Sequence, residues 1–200
     1  MENFWVELHQ ACVIGIVREA SPKAAERQAM RLVAGGVRFV EVSWTTPGAQ
    51  DAVKRLRGQT AWVGAGTVVT ESDAKSALSC GAQFLIAPNF SAEVLRVAQE
   101  AKVPYIPGVW TPNEAAAALG AGLTHLKLFP ASTGGIAHML ALREPLPEIC
   151  WVPTGGVSAD NAVAWLEAGA WGLGMGSGLA KLSEPEMQRF LAVVAEACHG

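Results

Sequence analysis

Lys127 lies between Leu126 and Leu128 in the run HLKLFPAS, and Glu41 lies between Val40 and Val42 in FVEVS. A charged side chain in an apolar run costs stability unless its charge is paired, neutralised or used chemically. Strand side chains alternate, so with Leu126 and Leu128 on one face, Lys127 and His125 point to the other. Two readings follow: a structural Lys127–Glu41 ion pair, or an amine nucleophile beside a carboxylate that moves protons. An amine kept from water loses part of its basicity and attacks a carbonyl carbon at neutral pH, giving a carbinolamine and then a Schiff base. That chemistry needs an acid/base group nearby, and Glu41 is the sole carboxylate on the first six strands expected below.

A second signal concerns anions. VPTGGVSADN places Gly155 and Gly156 between a strand and a helix, with Ser158 as the expected cap, and GMGSGLA repeats the theme with Gly176 and Ser177. Backbone N–H groups freed at such turns converge on phosphate, although ordinary tight turns have the same composition. Other polar residues near strand ends are Arg18, Ser43, Thr67, Asn89 and Thr154. The stretch GLGMGSG does not match GxGxxG, so a dinucleotide site is not expected. His9, His125, His138 and His199 share no ligand spacing, and no metal or cofactor is expected. Cys12, Cys80, Cys150 and Cys198 are far apart without a CxxC pair and read as reduced thiols.

The elements that must position these residues alternate. Strands are expected at Val13–Val17, Phe39–Ser43, Ala61–Gly66, Phe84–Ala87, Tyr105–Pro107, His125–Phe129, Trp151–Thr154 and Gly172–Gly176. Helices are expected at Pro22–Ala34, Gly48–Leu56, Ser72–Ser79, Ala92–Ala101, Pro112–Leu119, Ile136–Ala141, Ala159–Glu167 and Glu184–Ala197. LVAGGVRFVEV, ALSCGAQFLIA, ALGAGLTHLKL and LEAGAWGLGMG each end a helix at glycine and enter a strand. Repeated βα units of this number predict an α/β protein of the closed (β/α)8 TIM barrel type, with an extra N-terminal helix at Glu2–Gln10 presenting Phe4, Trp5 and Leu8 to the floor. An open doubly wound sheet would leave the last two units unexplained. In a barrel the strand C-terminal ends carry the chemistry, and the loops after strands seven and eight form the recurring phosphate site.

The 200 residues, 50% hydrophobic, suit one domain over residues 1–200. The net charge of −3 arises from scattered residues, which argues against nucleic acid or anionic membrane as partners and for small molecules. The N-terminus lacks the pattern of a secretory signal, and no apolar run reaches the ~18 residues of a membrane span. A soluble cytoplasmic protein is expected. Seven tryptophans are dispersed, consistent with core and subunit contacts; Trp44 and Trp110, at strand ends, either shape a pocket or pack in the core.

EVSWTTPGA, VGAGTV, FLIAPNF, YIPGVWTPNEA, LKLFPAS and VPTGGVS, in this order and spacing, resemble the 2-keto-3-deoxy-6-phosphogluconate (KDPG) aldolase / 4-hydroxy-2-oxoglutarate aldolase family. The likeness runs from about Val13 to Leu179. It implies a class I aldolase that cleaves KDPG to pyruvate and glyceraldehyde 3-phosphate in the Entner–Doudoroff pathway, working as a homotrimer without a metal. By position, Lys127 looks like the Schiff-base lysine and Glu41 like the general acid/base. Thr67, Pro88 and Phe129 look like pyruvate-pocket residues, and Gly155, Gly156 and Ser177 like phosphate ligands. Some members carry a carboxylate-binding arginine four residues after the glutamate, where this chain has Thr45; others carry it after the first strand, where Arg18 stands. Arg18 is therefore assigned to the carboxylate. Oxaloacetate decarboxylation and 4-hydroxy-2-oxoglutarate cleavage are implied side activities. The alternatives are the galactonate epimer as substrate, a phosphosugar-binding barrel without covalent catalysis and, more remotely, a structural or interaction protein.

Overall fold

The structure, a computed structural model, describes residues 2–58 and 62–199. After helix α1 (Glu2–Ala11), strand β1 (Val13–Val17), α2 (Pro22–Ala34), β2 (Phe39–Ser43), α3 (Ala49–Leu56) and β3 (Trp62–Gly66) set the alternation. It continues through α4 (Glu71–Ser79), β4 (Leu85–Ile86), α5 (Ala92–Ala101), β5 (Tyr105–Ile106), β6 (Gly108–Val109) and α6 (Pro112–Gly120). The last third holds β7 (His125–Leu128), α7 (Ala131–Arg143), β8 (Cys150–Pro153), α8 (Ala162–Glu167), β9 (Leu173–Met175), α9 (Ser177–Ala180) and α10 (Glu184–His199).

Local chemistry sets many of these boundaries. Ser21, Thr70 and Ser91 accept backbone N–H bonds at the starts of α2, α4 and α5, and Thr111 with Glu114 forms a capping box on α6. Each of the four glycine-ended phrases contains one glycine in the left-handed region: Gly36, Gly81, Gly122 and Gly169, with φ between 85° and 100°. That conformation stops the helix and turns the chain into the next strand.

All strand pairings are parallel. One sheet has the order β5-β4-β3-β2-β1-β9, and the other β6-β7-β8. The chain is thus an α/β protein built on parallel sheets. Two apolar clusters divide the core. The larger lies between strands and helices. The smaller joins Phe4 and Leu8 of α1 to Ile14, Phe39, Phe84, Ile86, Ile106 and Val152, so it draws on strands of both sheets.

The departures from expectation have identifiable causes. Ala61, the expected first residue of the third strand, lies outside the described residues. The expected Tyr105–Pro107 strand stops at Ile106 as β5, and β6 follows it unexpectedly at Gly108–Val109; Pro107 between them has no N–H to donate to a ladder. The helix expected at Ile136–Ala141 spans Ala131–Arg143, with a non-helical backbone at Gly135. The one expected from Ala159 starts at Ala162, and Ser158 is not its cap. Instead the Asn161 side chain accepts from the Ser158 N–H at 2.9 Å and donates to the Gly156 carbonyl at 3.0 Å, keeping 158–160 in a turn. The reduced-thiol reading is corrected for one pair. Cys12 and Cys198 are disulfide-bonded, because Cys12 follows α1, Cys198 lies near the end of α10, and these two helices pack together. Cys80 and Cys150 are free.

Among the described residues no helix is long and apolar enough to cross a membrane, and no group of three or more His, Cys, Asp or Glu is placed to hold a metal ion.

Candidate active site

β2 and β7 each deliver one charged side chain to the interior. Glu41 is 1% exposed and Lys127 4%. Register explains their level: Lys127 pairs with Gly108 of β6 and Val152 of β8, and Glu41 with Ile16 of β1 and Gly64 of β3. Room for the carboxylate depends on Gly66, where a Cβ would run into the Glu41 side chain. Gly108 likewise leaves no space for a Cβ, because the Pro88 carbonyl lies against it.

Lys127 and Glu41 form no direct ion pair within 4.0 Å among the described residues. Oε1 of Glu41 is buried without a hydrogen-bond partner among them. Burial raises the Glu41 pKa, against the opposing fields of Lys127 and Arg18. Burial lowers the Lys127 pKa; the Glu41 charge opposes this and Arg18 adds to it. Both groups are displaced toward their neutral forms, the condition for passing protons between an amine and a carboxyl near neutral pH. The ammonium also sits 4.9 Å from the centroid of the Phe129 ring.

Lys127 opens into a cavity of about 360 Å³. Of the residues selected from sequence, Arg18, Phe129, Gly155, Gly156, Gly176 and Ser177 also line it. Glu41, Thr67 and Pro88 do not. Thr67, at φ 58°, accepts a hydrogen bond from the Arg18 guanidinium at 3.1 Å and is 3.0 Å from the Ser43 hydroxyl. Ser43 is in turn 3.1 Å from the Thr45 hydroxyl, so Thr45 connects to Arg18 through two hydroxyls. The glycine loop after β8 is braced: the Ala131 and Ser132 N–H groups bond the carbonyls of Thr154 and Gly155 at 2.8 and 2.9 Å. Gly155 and Gly156 both have positive φ, at 91° and 83°.

Asn89, Trp44 and Trp110 are not in this cavity. Trp110 stacks on His138 at 4.1 Å between centroids, and both tryptophans pack on the larger core. Sequence reasoning missed Ile16, Glu19 and Gln28, which do line the cavity, and used Thr154 only as a strand-end residue. For Gln28 a signal existed: it falls at helical spacing among Ala25, Ala29 and Leu32, the buried stripe of α2.

The profile of the family described as "Aldolase: KDPG and KHG aldolase" matches residues 6–193. The chain is 36% identical over 169 residues to the 2-dehydro-3-deoxy-phosphogluconate aldolase of Treponema pallidum, covering 83% of this chain and 80% of that one. It is 33% identical over 171 residues to the 2-dehydro-3-deoxy-6-phosphogalactonate aldolase of Escherichia coli, covering 84% and 83%. A solved KDPG aldolase from Legionella pneumophila, with pyruvate captured as a covalent carbinolamine intermediate, superposes with a TM-score of 0.80 at 30% identity, over 97% of this chain and 95% of that one.

Proposed function

Since the chain belongs to the KDPG and KHG aldolase family, we propose that it is a class I aldolase cleaving 2-keto-3-deoxy-6-phosphogluconate to pyruvate and glyceraldehyde 3-phosphate, with Lys127 as the Schiff-base amine. The observation that carries this is the buried Lys127–Glu41 couple, each group displaced toward neutrality and not locked in an ion pair.

Lys127 Nζ attacks the C2 ketone, and Glu41 supplies the proton that lets the carbinolamine lose water. A base takes the C4 hydroxyl proton, and the C3–C4 bond breaks into an aldehyde and the enamine of pyruvate, whose electrons the iminium has received. Protonation at C3 and hydrolysis return pyruvate and the free amine. Arg18, held by Thr67, offers a planar donor pair to the substrate carboxylate. Phe129 bounds the pyruvate end, and Pro88 stands behind it against Gly108, the register partner of Lys127. The glycine N–H groups at 155, 156 and 176 and the Ser177 hydroxyl take the phosphate. The iminium would also accept electrons from departing CO₂, so oxaloacetate decarboxylation and 4-hydroxy-2-oxoglutarate cleavage belong to the same reading.

The fold completes this proposal as one closed eight-strand TIM barrel forming a single domain over residues 1–200. In its support, β5 and β6, which belong to different sheets, follow one another across Pro107 alone, and an isolated Thr154–Gly174 bridge links the end of β8 to β9. A homotrimer working in the cytoplasm is the accompanying assembly and location. A second reading, cleavage of the galactonate epimer, is favoured by one observation: a relative 33% identical over 84% of this chain is named for that substrate.

Incubation with pyruvate and borohydride, followed by intact mass and peptide mapping, tests the proposal. A reduced pyruvate adduct on the Lys127 peptide is the expected result. A folded protein without adduct would remove the covalent reading; where the adduct forms, turnover of the two epimers separates the two substrates.

A further inference from the structure

Gln28 stands where α2 otherwise buries only small or apolar side chains, three residues after Ala25 and four before Leu32. Its amide nitrogen is closed off from solvent and has no hydrogen-bond partner among the described residues. Buried donors are nearly always matched, and an unmatched one is kept at a cost that a ligand removes. Gln28 lines the Lys127 cavity together with Gly156, Gly176 and Ser177. α2 is fixed against α9, which Ser177 opens, by the Arg31 guanidinium; it donates to the Ala180 carbonyl at 2.9 Å and also to that of Leu182. Arg31 is therefore occupied, whereas the Gln28 amide nitrogen has no hydrogen-bond partner among the described residues, and an amide carries both a donor and an acceptor. Glu19 lines the same cavity, but a carboxylate offers only acceptors and does not serve an anionic oxygen.

We infer that Gln28 is a substrate-contacting specificity residue, whose amide donates to an oxygen at the phosphate-bearing end of the substrate. This rests on the aldolase reading above and adds to it a side-chain amide beside the glycine loops. A neutral donor there distinguishes substrates by their far end without touching the covalent step.

The test compares Gln28→Ala and Gln28→Glu with the parent protein on two substrates. One is the phosphorylated 2-keto-3-deoxy acid of whichever epimer the parent turns over. The other is 4-hydroxy-2-oxoglutarate, which lacks the phosphate. Expected is a roughly tenfold fall in kcat/KM through KM for Gln28→Ala on the phosphorylated acid, the loss of one hydrogen bond to a charged group. A larger fall is expected for Gln28→Glu, from like charge. Turnover of 4-hydroxy-2-oxoglutarate and pyruvate trapping by borohydride stay as in the parent. Equal losses on both substrates, or none on the phosphorylated one, would overturn the assignment. Calorimetry with inorganic phosphate gives a readout independent of chemistry: weaker binding in both variants supports the contact, and unchanged binding rejects it. A parent protein that forms no pyruvate adduct but loses phosphate affinity on Gln28→Ala would fail the aldolase reading while retaining this one.

Discussion

His125 and Lys127 are two residues apart on the same face of β7, and their surroundings are opposite. His125 is stacked on Trp5 at 3.9 Å and meets Trp171 edge-on at 4.5 Å, among rings that close one end of the interior. Phe4, beside them, contacts Trp5, Phe39, Trp62 and Phe84. Lys127, one step along, meets Glu41, Arg18 and an open cavity. Burial depresses both bases, to about 4 for His125. At the ring-lined end this makes a neutral packing group. At the other it leaves a less basic amine, the proposed nucleophile, with a carboxyl group and a guanidinium close enough to tune it. Desolvation leads at both ends, so what sets the Lys127 end apart is the carboxyl group beside the amine and the cavity it opens into.

Replacing Lys127 by Ala gives the largest expected effect, loss of the borohydride-trapped adduct and a fall in kcat on the order of 10⁴-fold or more, measured by mass and steady-state assay. Glu41→Gln is expected to lower kcat by about 10²–10⁴-fold. Since the Glu41 charge raises the Lys127 pKa, its loss also moves the acid limb of the kcat/KM profile to lower pH. Phe4→Ala breaks the other end, costing about 3–5 kcal/mol in denaturant unfolding. Protein still folded should be trapped by pyruvate as before, and if it is not, the two ends are not separable. Arg18→Ala is expected to raise KM for pyruvate in trapping about tenfold. It should shift the acid limb upward, opposite to Glu41→Gln, because Arg18 lowers the Lys127 pKa.

The smallest effect belongs to His125. Its folded pKa of about 4 lies below its ordinary value of 6.5, so between these values the unfolded chain binds more protons. Its contribution is full above pH 6.5 and lost as pH falls toward 4. His125→Gln should flatten the slope of melting temperature across that window, and an unchanged slope would assign the acid sensitivity to other groups.

Much of this was legible from residue order. Alternation around Lys127 and Glu41 predicted two inward charges, and the glycines at 36, 81, 122 and 169 marked helix ends that have left-handed backbone. Features fixed by contacts between distant segments were not legible. Cys12 and Cys198 are 186 residues apart, and nothing local pairs them. Pro107 was legible as a residue but not as the break between β5 and β6, since proline also begins and ends strands. Gln28 was hidden because sequence reasoning looked for site residues at strand ends, whereas this one reaches the cavity from a helix.

β1 has two neighbours, β2, made soon after it, and β9, made when most of the chain is complete. While the chain is being synthesised, one side of β1 therefore presents unpaired N–H and C=O groups, and it does so for as long as the intervening elements take to emerge. A chain ending before Leu173 would keep that bare margin for good, and a bare strand margin is a template for pairing with another chain. Premature termination should thus yield aggregation-prone fragments, and the cell's handling of the nascent chain matters most during the interval before β9 arrives.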